Sequence, residues 1–358
     1  HGHGESAAGQ PRGPADVSGG VIVDLLNALV VLLNFIVIPA TAYGAQLALG
    51  ALGVTLIYGI LRFSNFAHGD TMALGAALTI LMTWWLQARG IGLGPLPTAL
   101  IALPFGIVLT ALLVLATDRV VYRFYRKQKA APVILVIVSM GVMFIMNAVT
   151  RFIIGVGEQN FADGERFIIS AQGWKAATGL TEALTFRTTQ GLTIVVAVIC
   201  VAALFWFLGR TRTGKSMRAF SDNEDLALLS GINPERVVAV TWIIAAALAV
   251  IAGVLYGLDK SFKPFNYYQL LLPVFAAAIV GGLGNPLGAI AGGFLIAFSE
   301  VGVTYAFKKV LGYALPDSLA PEGLVQLLST DYKFAVSFTI LIIILLFKPT
   351  GLFRGKSV

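Results

Sequence analysis

Gly209 to Ser216 reads G-R-T-R-T-G-K-S, a formal match to the phosphate-cradling pattern G-x-x-x-x-G-K-[ST]. That pattern holds a nucleotide when a strand precedes it and a helix follows, so that backbone N–H groups converge on the phosphates. Here an apolar helical run precedes it, and no soluble α/β domain supplies the Asp that would hold Mg²⁺. The segment therefore reads as a basic loop, not as a nucleotide site. Gly282, Gly284 and Gly288 imitate a dinucleotide fingerprint just as superficially, without a βαβ unit around them. Packing is the better reading. Gly284, Gly288 and Gly292 recur at the small-xxx-small spacing that lets membrane helices approach closely, and Asn285-Pro286 marks a tight turn.

Asn65, His68 and Asp70 form the most polar cluster beside an apolar run in the first half of the chain. One His and one Asp are too few ligands for a metal site, and no Ser or Cys nucleophile motif accompanies the His. Polar groups at membrane depth are costly unless paired or functional. The expectation is a hydrogen-bonded knot at a helix break, with a lining role on a substrate path as the second reading. Arg151, Asp259 and Glu300 fall near predicted span ends and read as interfacial anchors. Cys200 is the single cysteine and lies in an apolar run, which excludes disulfides and thiolate metal sites. No metal site and no catalytic set is expected, so an intramembrane enzyme is disfavoured.

The elements that position these residues are apolar. The chain is 57% hydrophobic and 12% charged, where soluble domains carry roughly a quarter charged residues. This is the composition of an integral membrane protein. The net charge of +7 sits beside the apolar runs, where the positive-inside rule places it, and does not point to nucleic acid. Apolar blocks run at about 21–38, 42–61, 71–88, 98–118, 132–154, 191–208, 237–258, 270–283, 286–306 and 333–348. The fold expected is all-α: a polytopic membrane bundle of about nine to ten spans of roughly 20 residues each. The 270–283 block is short, with Pro273 and Gly281–Gly282 interrupting or ending it. A helix running into Arg62–Asp70 and another running into GGLGNPLG are each followed by a Gly/Ala-rich helix, so a parallel internal repeat is a hypothesis.

Residues 1–20 are polar and Gly/Pro-rich and read as disordered. The chain opens on His1, not Met, as after removal of a preceding segment such as a signal peptide. The 21–38 block is read as a span that puts the N-terminus in the cytoplasm; a cleaved signal peptide would instead leave it outside, with the block lying in the interface. Residues 21–353 form one permease-like domain and 354–358 a cytoplasmic tail. The basic 119–131 and 209–236 loops and the tail after Lys348 fall on one side, the cytoplasmic one. The Arg62–Asp70 turn joins them, and 155–190 and 307–332 face outside.

The 209–236 loop has its own punctuation. Ser221 with Glu224 forms a capping-box pattern that predicts a short helix from near Asp222, with Asp222, Glu224 and Asp225 in the first turn. Leu226, Leu228 and Leu229 are its apolar residues. Gly231 stands where a C-terminal cap would, and Asn233 with Pro234 opens the next helix. A solvated cover on the bundle and a docking element for a soluble partner are both open on these residues alone.

At these residues the chain resembles the permease subunits of ATP-binding-cassette importers for branched-chain amino acids, with relatives for urea and short amides. Thr55-Leu-Ile-Tyr-Gly-Ile60 leading to Asn65-Phe-Ala-His-Gly-Asp70 resembles the family's first signature, continued by Leu74-Gly75-Ala76. Ser139-Met-Gly141 resembles the short turn of its middle span. Gly214 to Arg236, with Arg218-Ala219 and Gly231-Ile232-Asn233, resembles its cytoplasmic loop. Val280-Gly-Gly-Leu-Gly284, Pro286-Leu-Gly-Ala289 and Gly292-Gly293 resemble the second signature, and Lys348-Pro-Thr-Gly-Leu352 the C-terminal end. The matches run from about residue 42 to 353, and the type is the subunit carrying N-F-A-H-G. Residues 1–38, Lys260 to Leu272 and 307–332 depart from it.

The resemblance implies an inner-membrane, multi-pass permease with a cytoplasmic C-terminus that pairs with a homologous permease, as a heterodimer. Two ATPase subunits bind ATP and Mg²⁺, this chain binds no cofactor, and a periplasmic binding protein delivers solute. The loop would be a coupling helix seated on the ATPase: Arg218, Asp222, Glu224 and Asp225 orient it, and Leu226 and Leu229, before Gly231, supply apolar area. Asn65, His68, Asp70, Ser139, Gly282, Gly284 and Asn285 are the pathway candidates. The alternative of a different class is a passive channel or ion-coupled carrier acting without an ATPase.

Overall fold

The computed structural model describes residues 14–314, 323 and 325–353. Nine helices among the described residues are long and apolar enough to cross a membrane. The chain opens with α1 (Pro14–Leu32), which runs through a π-turn at Leu33–Val37 into α2 (Ile38–Leu61) without a break. Then come α3 (His68–Ala88), α4 (Ala99–Thr117), a π-turn at Asp118–Tyr122, α5 (Arg123–Lys127) and α6 (Pro132–Ile154). A two-stranded antiparallel hairpin, β1 (Phe167–Ile169) with β2 (Phe186–Arg187), brackets the short α7 (Ala171–Thr178). The second half is α8 (Thr188–Arg210), α9 (Arg212–Asp222), α10 (Glu224–Leu229), α11 (Pro234–Lys260), α12 (Pro264–Gly281), α13 (Pro286–Thr304), α14 (Lys308–Ala314) and α15 (Lys333–Phe347).

The centre is α2. It packs on α11, α12 and α13, and nearly all of it from Ala42 to Leu61 is buried. Its neighbours come close because they are small where they meet. A Cβ on Gly292 would overlap the Ala277 carbonyl, and one on Gly288 the Gly281 carbonyl, so α13 lies directly on the backbone of α12. This is the small-residue packing the spacing predicts. Gly284 is not part of that helix face; it belongs to the turn before α13. α11 bridges α2, α3 and α4, α6 covers α3, and α15 covers α12 and α13.

Four expectations change. The 21–38 block is not a separate crossing. A single continuous helix cannot cross the membrane twice, and Ile22–Leu61 is 40 residues of one helix, about 60 Å at 1.5 Å per residue. The block continues into α2 and packs against α14. Helix already begins at Pro14, within the stretch read as disordered; residues 1–13 and 354–358 lie outside the described ones. The 119–131 segment is helical to Lys127, so the loop shrinks to the few residues before Pro132. Pro273 lies inside α12 without ending it; Gly281 and Gly282 do end it.

The two ends of the bundle differ. At one end Arg62, Arg126, Lys127, Lys129, Phe220, Glu224 and Glu235 surround a common hollow, and Arg123 pairs with Glu235 at 3.3 Å. The chain's last described residues fold back here, Leu352 N–H donating to the Val280 carbonyl at 2.8 Å. At the opposite end Gln159 and Phe262 exchange backbone hydrogen bonds. There, too, Lys309 meets Glu182 at 2.8 Å, and the Asn27 and Asn34 side chains accept from Glu182 and Thr185. At Glu182 burial pushes the carboxyl up, but the Lys309 and Tyr313 hydrogen bonds outweigh it and hold it below the ordinary value.

Candidate functional site

The 209–236 loop folds as two short helices with opposite faces. Thr211 caps α9, its hydroxyl accepting from Gly214 N–H at 2.9 Å. Met217 and Phe220, one turn apart, are 2% and 4% exposed and anchor α9 to the bundle. Gly214, the glycine of the phosphate-loop pattern, is buried where a Cβ would strike the Phe207 carbonyl. It serves the packing of α9 on α8. Asn223 then caps α10, accepting from Leu226 N–H at 3.0 Å.

The predicted short helix is thus present, but its cap is Asn223, not Ser221. Ser221 lies in the last turn of α9 and its hydroxyl is drawn elsewhere, donating to the Gly59 carbonyl at 3.0 Å. Gly231 (φ 80°) takes the left-handed conformation that closes α10. Asn233 caps α11, accepting from Arg236 N–H at 3.3 Å, with Pro234 as its first residue.

On α10 only Ala227 turns inward. Leu226, Leu228 and Leu229 are 61%, 42% and 85% exposed, and Arg218, Asp222, Glu224 and Asp225 are exposed beside them. The three leucines do not pack back on the bundle.

The loop is tied to the centre of the bundle at two points. Arg62, in the left-handed conformation (φ 57°) at the end of α2, donates from Nη2 to the Ser221 carbonyl at 2.7 Å. With the Ser221–Gly59 bond this makes a reciprocal clasp between α9 and α2. A cavity of about 490 Å³ beside the clasp is lined by Gly59, Met217, Arg218, Asp222, Gly284 and Asn285, among others. In that turn Gly282 (φ 107°) and Gly284 (φ 83°) are both left-handed. Asn285 caps α13 by accepting from Leu287 and Gly288 N–H, and its Nδ2 donates to the Phe353 carbonyl at 2.9 Å.

The other pathway candidates lie apart from this cavity. Residues 62–67 are non-helical, and they climb into the bundle instead of staying at its end. Phe66 N–H reaches the Ser139 hydroxyl at 3.1 Å, about 10 Å along α6 from Pro132, and Asp70 lies level with Asn147, about 22 Å along. Irregular backbone at membrane depth is tolerated only where protein satisfies its polar groups. Ser139 does so for Phe66. Asn65 does so for Ala67, its Oδ1 accepting at 3.2 Å, and Oδ1 also accepts from the Tyr122 hydroxyl at 3.3 Å.

The side chains of Asn65, His68 and Asp70 therefore do not bond to one another; the one link among them is backbone, His68 N–H donating to the Asn65 carbonyl at 3.2 Å. Each joins a different element: Asn65 the 118–122 turn, Asp70 α6 through Asn147 Nδ2 at 2.6 Å, and His68 the Gly53 face of α2, where a Cβ would collide with the imidazole.

A third group was not foreseen from sequence. Asp118, 6% exposed, accepts from Trp242 Nε1 at 2.7 Å and is held bidentately by Arg126. Tyr122 stacks on Trp242 with ring centroids 5.3 Å apart. The chain Arg126–Asp118–Trp242–Tyr122–Asn65 links the basic end to the climbing segment. The available signal was a lone acid closing an apolar run with an arginine eight residues on; Trp242 lies 124 residues away.

Nine apolar helices among the described residues, a buried irregular segment satisfied by its neighbours, and a structured loop at the basic end define a multi-pass helical membrane protein. Residues 36–345 match the family described as "Branched-chain amino acid transport system / permease component". The chain is 31% identical over 318 residues to the high-affinity branched-chain amino acid transport system permease protein LivH of Escherichia coli K12, covering 88% of this chain and 93% of LivH. It is 29% identical to BraD of Pseudomonas aeruginosa over 88% of this chain and 94% of BraD. A solved inward-facing metal-chelate type ABC transporter covers 93% of the chain and 99% of its own, at 14% identity and a TM-score of 0.46. The chain belongs to the branched-chain amino acid transport permease family, as a transport subunit and not an enzyme. The match starts at residue 36, so α1 lies outside it.

Proposed function

We propose that this chain is the permease half of an ATP-driven importer that carries branched-chain amino acids inward. The observation that carries the reading is α10: a capped helix with three outward leucines, held on a buried anchor and clasped to the central helix. An isolated channel gains nothing from exposing that surface. A partner groove that covers it would gain apolar contact, and the clasp would pass its movement to α2 and to the 282–285 turn. Positive-inside placement of Arg62, Arg123, Arg126 and Lys127 supports a cytoplasmic basic end and C-terminus.

On this reading Arg218, Asp222, Glu224 and Asp225 orient the ATPase, while Leu226 and Leu229, before Gly231, fill its groove. ATP and Mg²⁺ bind on two ATPase subunits, the bundle pairs with a homologous permease, and a binding protein docks at the opposite end. The relatives' names favour branched-chain amino acids over urea or short amides as the cargo. Asn65, His68, Asp70, Ser139 and Gly282 hold the irregular segments that shape the path, and Gly284 and Asn285 transmit the loop's movement.

The test is purification of the chain from detergent-solubilised native membrane, with identification of every co-purifying protein. An ATPase pair and a second permease are expected. A chain that comes down alone and still transports solute would hand the function to the solitary-carrier alternative.

A further inference from the structure

Glu300 was read from sequence as an interfacial anchor, yet it is 2% exposed. It sits on α13 one turn before Thr304, at the end of the bundle opposite α10. Ser337 donates to its Oε1, while Oε2 has no hydrogen-bond partner among the described residues. The Tyr43 hydroxyl faces this carboxylate, without closing a well-aligned hydrogen bond to it. A buried carboxylate oxygen left unpaired is expensive, so the question is what pairs with it.

Both groups line a cavity of about 270 Å³ between the ends of α2, α11, α13 and α15. Two cations share its wall: Lys333, half-buried, and Lys260, which lies 3.6 Å from Asp259. The rest is largely aromatic: Phe35 stacks on Tyr305 with centroids 6.2 Å apart, and Tyr256 lines the cavity beside them. The volume lies below the roughly 300–1,000 Å³ of drug-sized sites, a size suited to one small solute.

We propose that this cavity is the permease's own receiving site for an α-amino acid zwitterion. The Glu300 Oε2 and Tyr43 Oη atoms take the ammonium group, Lys333 and Lys260 take the carboxylate, and the Phe35–Tyr305 wall takes an aliphatic side chain. The Glu300 carboxylate and the Lys333 ammonium complement a zwitterion, with Lys260, paired to Asp259, beside them; a urea offers neither of them a charge to match. The inference rests on the amino acid import reading and adds a site in the membrane subunit to it.

The test uses the complete importer in lipid nanodiscs, with Thr330→Cys as a reporter on the cavity rim and Cys200→Ala to remove the other thiol. The rate of modification by a water-soluble thiosulfonate is measured with L-leucine, isoamylamine (no carboxylate) or 4-methylvalerate (no ammonium). Leucine at ten times its Kd is expected to slow labelling about tenfold, and neither truncated analogue is expected to match it. Glu300→Gln is expected to abolish the protection while the ATPase subunits still co-purify, and Lys333→Met to weaken it.

Unchanged labelling with leucine, or protection that survives in Glu300→Gln, overturns the proposal. Protection by isoamylamine equal to that by leucine also overturns it, in favour of a simple cation site. Leucine uptake by the same complex in liposomes is scored separately. Uptake without protection removes this site alone, and protection without uptake removes the importer reading alone.

Discussion

Replacing Leu226 and Leu229 together with Ser separates the two faces of the 209–236 loop. Full burial of a leucine is worth about 1.5–3 kcal/mol. With 61% and 85% of the two side chains uncovered, a groove that closes over both gains roughly 2–4 kcal/mol. The double change should weaken ATPase binding by roughly 30- to 700-fold, at about 1.4 kcal/mol per factor of ten. It should leave the permease's own stability within about 0.5 kcal/mol, as surface changes do. Phe220→Ala is the contrast: at 4% exposure it should cost about 3–5 kcal/mol of fold stability. The assay is a titration of purified ATPase onto the immobilised permease pair at fixed salt, alongside thermal unfolding of the permease. An ATPase Kd unchanged in the double mutant would refute the reasoning, because the exposed leucines would then face no partner.

Three further outcomes follow from the packing. Gly292→Ala should lower the melting temperature, because the added methyl meets the Ala277 backbone carbonyl and overpacking costs about 1–3 kcal/mol; a variant melting with the wild type would contradict the contact of α12 and α13. Asp118→Ala should cost about 3 kcal/mol, the low end for breaking a buried ion pair, since the Arg126 side chain keeps 18% exposure. Its Trp242 fluorescence should shift as the indole N–H loses its acceptor, and an unmoved spectrum would count against the bond.

Asp163, outside the membrane, gives the pH dependence. Partial burial pushes its carboxyl up, but hydrogen bonds from Thr98 and Gln87 outweigh it and hold it below the ordinary value of 3.8. A lowered folded value means stability that is present above the ordinary value and lost as pH falls through the folded one. Between about pH 5 and pH 3 the wild type should therefore lose more stability than Asp163→Asn, and equal losses would show that the carboxylate is not held.

What the sequence made legible was what local chemistry decides. Ten apolar runs gave the nine long apolar helices of the described residues once the 21–38 run is merged into α2, and Gly231, Asn233 and Pro234 punctuate the chain where their backbone preferences say they should. Ser221 shows where local rules stop: its capping pattern was sound, but the Gly59 carbonyl, 162 residues away, offered its hydroxyl a partner, and Asn223 took the cap. Amphipathic α9 was hidden because its anchors, Met217 and Phe220, are two apolar residues in a basic run. The depth of residues 62–67 was invisible, since hydropathy does not say at what level a helix restarts. Asp118 and Trp242 meet only through the fold. The polar candidates Asn65, His68 and Asp70 were found as residues, but their separate partners could be read only from the packing of α2, α6 and the 118–122 turn.

The most direct test of the account is leucine uptake into liposomes carrying the co-purified permease pair and ATPase, with binding protein on one side and ATP supplied or withheld on the other. The account predicts uptake against a gradient that requires both ATP and binding protein. It also predicts that the Leu226→Ser, Leu229→Ser pair abolishes this uptake. Uptake at the same rate without ATP would contradict it and establish the chain as a carrier that works alone.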